Sequence, residues 1–168
     1  MKQPHQQGVL DGLCSIYSII NSLRLVVGNI SVNQCKYLLI ESIKAIEEKK
    51  ASSDFIVDGI GINDLAYIMR CVIEKEYPMV KRSKPFHKNS DATIDDFWER
   101  TEDFLLVPKR AAIVGLATAE IGHWSVIRSI SAKRLYLFDS SGLHFLNKSN
   151  CTTEKLVPTL TYYLELKE

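Results

Sequence analysis

Three residues far apart in the chain have the types and surroundings that thiol chemistry needs. Cys14 follows Gln7-Gly8-Val9-Leu10-Asp11-Gly12-Leu13 and opens the run Ser15-Ile16-Tyr17-Ser18-Ile19-Ile20. A glycine-containing turn thereby delivers a cysteine to the first turn of an apolar helix. Unpaired amide N–H groups and the positive end of the helix dipole meet at such a place, and both favour thiolate over thiol. His123 stands at the mouth of a second apolar run, Gly122-His123-Trp124-Ser125-Val126-Ile127. Asp139, sixteen residues later, closes a third, Leu135-Tyr136-Leu137-Phe138-Asp139. Two antiparallel strands joined by the turn Ser131-Ala132-Lys133 would hold base and acid side by side. Nucleophile, base and orienting acid are the parts of covalent acyl-transfer catalysis.

In that scheme Cys14 attacks an acyl carbon, and His123 pairs with the thiolate before protonating the leaving amine. Asp139 orients the imidazole and stabilises its charged form. An Asp139→Asn variant is expected to keep part of the activity, because an amide oxygen still accepts the imidazole N–H. The oxyanion calls for donors, of which the Cys14 N–H is one and an upstream glutamine amide the other. Gln7 and Gln6 lie seven and eight residues before the cysteine.

Blander roles compete. A cysteine in an apolar helix commonly fills core, and Asp-Ser-Ser-Gly is a turn sequence in its own right. His5, His87 and His144 are rival bases, His144 above all, since it lies just past Asp139 at the same sheet end. Cys35, Cys71 and Cys151 form no pair with zinc-ligand spacing, so neither a metal nor another cofactor is expected.

The elements that must position these groups change period midway. Leu13, Ile16, Tyr17, Ile20, Leu23 and Val27 predict a central buried helix, with Gly28-Asn29 as its stop. Ser31 and Gln34 form a capping box before a second helix carrying Leu38, Leu39, Ile43 and Ile46. Residues 51–62 read as a loop, with Phe55-Ile56-Val57 pairing briefly as a strand. Asn63 caps a third helix ended by Tyr77-Pro78. Lys81, Arg82, Lys84, His87 and Lys88 form a basic patch on an exposed loop. Thr93 opens a fourth helix with Ile94, Phe97, Trp98 and Leu105 inward. Strands are then predicted over 111–117, 123–130, 134–139, 144–146 and 160–166.

Helices first and an antiparallel sheet after them make an α+β fold, the nucleophile helix packed on the C-terminal sheet. The length of 168 residues fits a single domain spanning 1–168. With 46% apolar and 24% charged residues the chain is an ordinary globular one, and a net charge of +1 argues against nucleic acid as a partner. The apolar stretch from Leu13 to Val27 is interrupted by Asn21 and Arg24, which argues against a membrane span. Asp11 ahead of it and the lack of a small-residue cleavage site argue against a signal peptide, so a cytoplasmic protein is expected, or one exported by a signal-independent route.

The order of motifs resembles the papain-like cysteine peptidases, in particular the small bacterial peptidases that process double-glycine leaders. That pattern is a glutamine, a few residues, a cysteine at a helix start, then His-Trp on a strand and Asp or Asn at the end of the next. Gln7, Cys14, His123-Trp124 and Asp139 match it over nearly the whole chain. His-Trp followed by Phe-Asp-Ser also resembles the proteases of ubiquitin-like proteins, but those place the cysteine last. The resemblance implies a papain-like fold, a Cys14–His123–Asp139 triad with Gln7 in the oxyanion hole, and a protein or peptide substrate cut at peptide or isopeptide bonds. This chain has a spacing of seven and Asp11-Gly12-Leu13-Cys14 where the pattern has about six and Asp-Cys-Gly. The same fold also hosts deamidases and acyltransferases acting on proteins, and binding or immunity modules without turnover.

Overall fold

The computed structural model describes residues 3–9, 11–89, 91–117 and 122–167. Helix α1 (Cys14–Val26) is enclosed on every side: Ile16, Ile19, Leu23 and Val26 are fully buried, and so are the polar Ser15, Ser18, Asn21 and Ser22. It ends where Gly28 takes a φ of 94°, a left-handed conformation that glycine adopts without a Cβ penalty. Behind it pack α2 (Val32–Glu47), which carries the expected Ser31/Gln34 capping box, and α4 (Ile62–Ile68).

In front of α1 stands a six-stranded antiparallel sheet in the order β1-β6-β2-β3-β4-β5, which makes the fold α+β. Its strands are β1 (Val80–Ser83), β2 (Ala111–Ala117), β3 (Gly122–Ile130), β4 (Arg134–Leu137), β5 (Phe145–Asn147) and β6 (Leu156–Leu166). Alternation along the strands divides the apolar residues between two faces. Ile113, Trp124, Val126, Tyr162 and Leu164 join the core around α1. Ala112, Val114, Leu116, Ile127, Leu135 and Tyr163 form a second core under α6 (Ile94–Leu105), whose Thr93 and Asp96 make a capping box. Phe104 of α6 stacks on Tyr163 at 4.0 Å, and Thr101 and Tyr163 share a buried hydrogen bond of 2.9 Å.

The chain before α1 runs back along it as a strap. The Asn21 side chain accepts from the His5 N–H at 2.8 Å and donates to the His5 carbonyl at 3.0 Å, while Arg24 donates to the Gln3 carbonyl at 2.6 Å. A buried polar residue of the helix is thus spent on holding the lead-in to Cys14.

Several elements differ from what local pattern predicts. Residues 52–58 form a helix, α3 (Ser52–Asp58), not a loop with an extended stretch. Burial of Phe55 and acceptance of the Gly12 N–H by the Ile56 carbonyl at 2.6 Å override the β-branched pair. α4 begins at Ile62 behind Gly61, without a cap from Asn63, and continues through a π-helical turn (Met69–Ile73) into a last α-turn, α5 (Glu74–Glu76). The head of the basic patch is an edge strand: Lys81 and Arg82 lie in β1, where Glu165 and Glu74 neutralise them. β4 stops at Leu137, two residues short of Asp139. β6 starts at Leu156, four residues early, and contains Pro158. Proline fits there because the β2–β6 ladder is irregular between Val114 and Leu116, so no ladder hydrogen bond is lost. Among the described residues no helix is long and apolar enough to cross a membrane.

Asn21→Ala is expected to release the strap. The two backbone groups of His5 lose their partners, a cost of about 1–3 kcal/mol. Chemical denaturation should read that loss, and hydrogen exchange should show the His5 amide losing protection while α1 amides keep theirs.

Candidate active site

The turn that presents Cys14 is closed by one carboxylate. Asp11 accepts from the Gly8 N–H at 2.6 Å through Oδ2 and from the Leu13 N–H at 3.2 Å through Oδ1. The next residue must be glycine: a Cβ at position 12 would lie 2.7 Å from both the Gly59 nitrogen and the Val57 oxygen. Gly59, at φ 79°, makes the reciprocal close approach and ends α3. Backbone therefore packs directly on backbone beneath the Cys14 turn. No side chain caps α1, so its first amides, those of Cys14 and Ser15 among them, have no acceptor inside the helix.

Cys14 and Ser18, one turn apart on α1, grip the two backbone groups of a single strand residue. The Trp124 N–H donates to Cys14 Sγ at 3.4 Å, and the Ser18 hydroxyl donates to the Trp124 carbonyl at 2.8 Å. The Trp124 indole donates to the Ile60 carbonyl at 3.2 Å, fastening the α3–α4 loop to the same strand. The helix start, the β3 start and that loop thus meet at one point.

His123 precedes Trp124 and so lies on the opposite face of the strand, at the open end of the sheet. One ring nitrogen, Nε2, contacts Asp139 Oδ2 at 2.6 Å, and Cys14 lies against the imidazole as well. Burial works against the charged ring, but hydrogen bonding and charge from Asp139 and then Cys14 outweigh it and raise its pKa to about 9. Asp139 is 2% exposed. Its other oxygen, Oδ1, accepts from the N–H groups of Ser141 at 2.8 Å and Leu143 at 3.1 Å. Burial alone would raise its pKa, yet the bond from His123, the charge there and the Leu143 amide hold it below the usual value. Ser125 Oγ also approaches this carboxylate, without reaching hydrogen-bond geometry.

Cys14, His123 and Asp139 are therefore brought together, as their spacing predicts. Gln7 reaches the same place by bonds on both sides: its N–H donates to the Ser140 carbonyl at 3.1 Å and its Oε1 accepts from the Ser140 hydroxyl at 3.0 Å. Its Nε2 donates to the Asp11 carbonyl at 3.1 Å, which uses one of two amide protons. Gln6 is exposed, which separates the two glutamines. His144 and His87 are exposed, and the His5 backbone is bound by Asn21. Sequence reasoning passes over Ser18 and Gly59. Ser18 carries a signal, a hydroxyl four residues after the cysteine on an apolar helix; the Gly59 contact with Gly12 carries none.

No protein-family model matches the chain, and no curated protein sequence matches it. Among the described residues, no group of three or more His, Cys, Asp and Glu side chains could hold a metal ion.

Two measurements check this geometry. Gly12→Ala forces backbone apart and should cost about 1–3 kcal/mol, against a few tenths for a change on the exposed face of α2 such as Lys44→Ala. The second concerns pH. A pKa raised from 6.5 to about 9 means that the pairing of His123 stabilises the fold fully below pH 6.5 and is lost as pH rises through about 9. The unfolding free energy should fall across that window, and in His123→Ala the fall should largely vanish.

Proposed function

We propose that this chain is a thiol hydrolase of the papain-like type, cutting peptide or isopeptide bonds through Cys14, His123 and Asp139. The observation that carries the reading is the junction at the start of α1, where the Cys14 sulfur meets both the Trp124 N–H and an imidazole held by a buried carboxylate. With Nε2 bound to Asp139, the other ring nitrogen is the one that serves the thiol. A histidine charged at neutral pH and set against the Cys14 sulfur carries the proton that a leaving group needs.

The sulfur attacks the carbonyl carbon and the S–C bond forms while the carbonyl electron pair moves to oxygen. That oxyanion takes the Cys14 N–H at the open helix end and the remaining Nε2 proton of Gln7. As the electron pair returns, the C–N bond breaks and His123 gives its proton to the leaving amine. Neutral His123 then takes a proton from water, whose oxygen attacks the thioester, and the carboxylic acid product leaves with Cys14 and His123 restored. Each step uses groups already in place, and the reading needs no cofactor.

Two variants separate the roles. His123→Ala should lower kcat/KM at least about a thousandfold. Sequence alone leads one to expect partial activity in Asp139→Asn, and the hydrogen bonds around Oδ1 argue for a deeper loss. Two backbone N–H groups fix an oxygen on that side, so the amide nitrogen faces Nε2 and imposes the tautomer that cannot accept a proton from Cys14. A loss of about a thousandfold or more is expected here too, and a partly active variant would show that the amide turns over.

Alkylation tests the thiolate without a substrate. Cys14 is 7% exposed while Cys71 lies open, and burial raises the pKa of Cys35 and Cys151. Brief iodoacetamide treatment near pH 6, where a free thiol is under about one per cent ionised, should still label Cys14 first, and His123→Ala should abolish that preference. Labelling in order of exposure, Cys71 first, would make Cys14 a core residue. Intact-mass analysis of candidate protein substrates then reads the reaction class: fragments mean hydrolysis, a small mass gain without fragments means deamidation, and no covalent change means a binding module.

A further inference from the structure

We infer that the substrate carries a large apolar residue on the amine side of the bond that is cut, seated in a wide cleft beside His123. This rests on the thiol-hydrolase reading and adds a substrate class to it. His123, Leu116 and Ala117 form the divide between two clefts. One, of about 380 Å³, runs past Trp124 and the Gly59–Ile62 loop and is edged by Gly115 and Gly122. Among the described residues the other, of about 870 Å³, is walled by Leu143, Leu146, Cys151 and Leu156, with Glu154 and Lys155 and, at the divide, His123 as its charged groups.

The four directions around the attacked carbon decide which cleft takes which half of the substrate. Sulfur occupies the first. Oxygen points to the Cys14 N–H and to Gln7, and Gln7 is tied to Ser140, beside the Ser141–Leu143 wall of the wide cleft. The acyl chain leaves away from that oxygen, toward the narrower cleft of Trp124, whose N–H meets Cys14, and the Gly59–Ile62 loop, whose Ile60 carbonyl accepts from the Trp124 indole. The amine nitrogen points to His123, which supplies its proton, and the peptide beyond that nitrogen passes the imidazole into the wide cleft. Beyond His123, which the amine nitrogen meets, the opposite charges on Glu154 and Lys155 offer no net attraction to a charged residue, whereas the apolar walls reward a leucine- or phenylalanine-sized one.

Cleavage of a randomised peptide library by the wild-type chain, read by mass spectrometry, tests this. Cuts should occur before Leu, Ile, Met or Phe at least about tenfold more often than before Gly, Ser or Asp, a ratio that a hydrophobic pocket sustains. Leu146→Glu should lower that ratio about tenfold and bring in cuts before Lys and Arg. Leu146 is half-buried at the margin of the second core, where Leu146→Ala removes volume without burying a charge, and in a protein that keeps its thermal transition it should reduce the ratio severalfold. Cleavage with no preference after the scissile bond, or a Leu146→Ala profile equal to wild type, overturns the inference and leaves the hydrolase reading standing. No cleavage of any peptide overturns the hydrolase reading and this inference with it.

Discussion

The site depends on the docking of one helix end against the backbone of one strand residue. Cys14 and Ser18 are four residues apart, which on an α-helix puts their side chains on one line. The N–H and C=O of Trp124 point to the same side of β3 as that line, and each is satisfied by one of the two. A strand can be approached by a helix at many heights. Two specific polar contacts inside an apolar interface leave one, because any slip would bury unpaired backbone groups at about 1–3 kcal/mol each. That choice fixes His123 relative to Cys14, since the histidine is the residue before Trp124.

Charge is handled by the same economy of partners. A carboxylate as buried as Asp139 survives in the interior only when its oxygens are fully engaged. Oδ1 is engaged by the turn just after it, Ser141 and Leu143, and Oδ2 by His123. The turn thus does more than reverse the chain: it sets which oxygen faces the imidazole. Phe138, whose N–H donates to the Val126 carbonyl at 2.8 Å, holds the acid in line with β3 although regular β4 pairing has ended.

Around this centre the chain departs from regular structure where elements approach closely. Gly12 and Gly59 let two backbones touch under the Cys14 turn. Gly115, at the irregular step of the β2–β6 ladder, leaves room for Leu160, whose Cβ lies 2.9 Å from where a Cβ would stand at that position. The strap before α1 is held by Asn21 and Arg24. These are contacts of backbone and of single polar side chains, and they bring the N-terminal segment, the α3–α4 loop and the β4–β5 turn to one end of the sheet.

The sequence by itself determined what is local or periodic. The all-round apolar pattern from Leu13 to Val27 required a buried helix, the Ser31/Gln34 and Thr93 caps located two more, and the runs after Pro108 required strands whose shared turn sets His123 near Asp139. Residue type singled out Cys14, His123 and Asp139, because few arrangements place a cysteine at a helix start and a histidine and an acid at strand ends. Tertiary structure decided what depends on distant partners. Phe55-Ile56-Val57 has the local preference of a strand and became helix because the core took Phe55 and the Cys14 turn took a carbonyl. Lys81 and Arg82 look like loop residues and lie in an edge strand because the end of β6 supplies backbone partners and Glu165 and Glu74 supply countercharge. The tie of Gln7 to Ser140 and the hydrogen-bonding of Asp139 Oδ1 were fixed only by groups more than a hundred residues away or around the next turn. Periodicity reports which side of an element faces the core; it carries no information on which backbone group from elsewhere will arrive there.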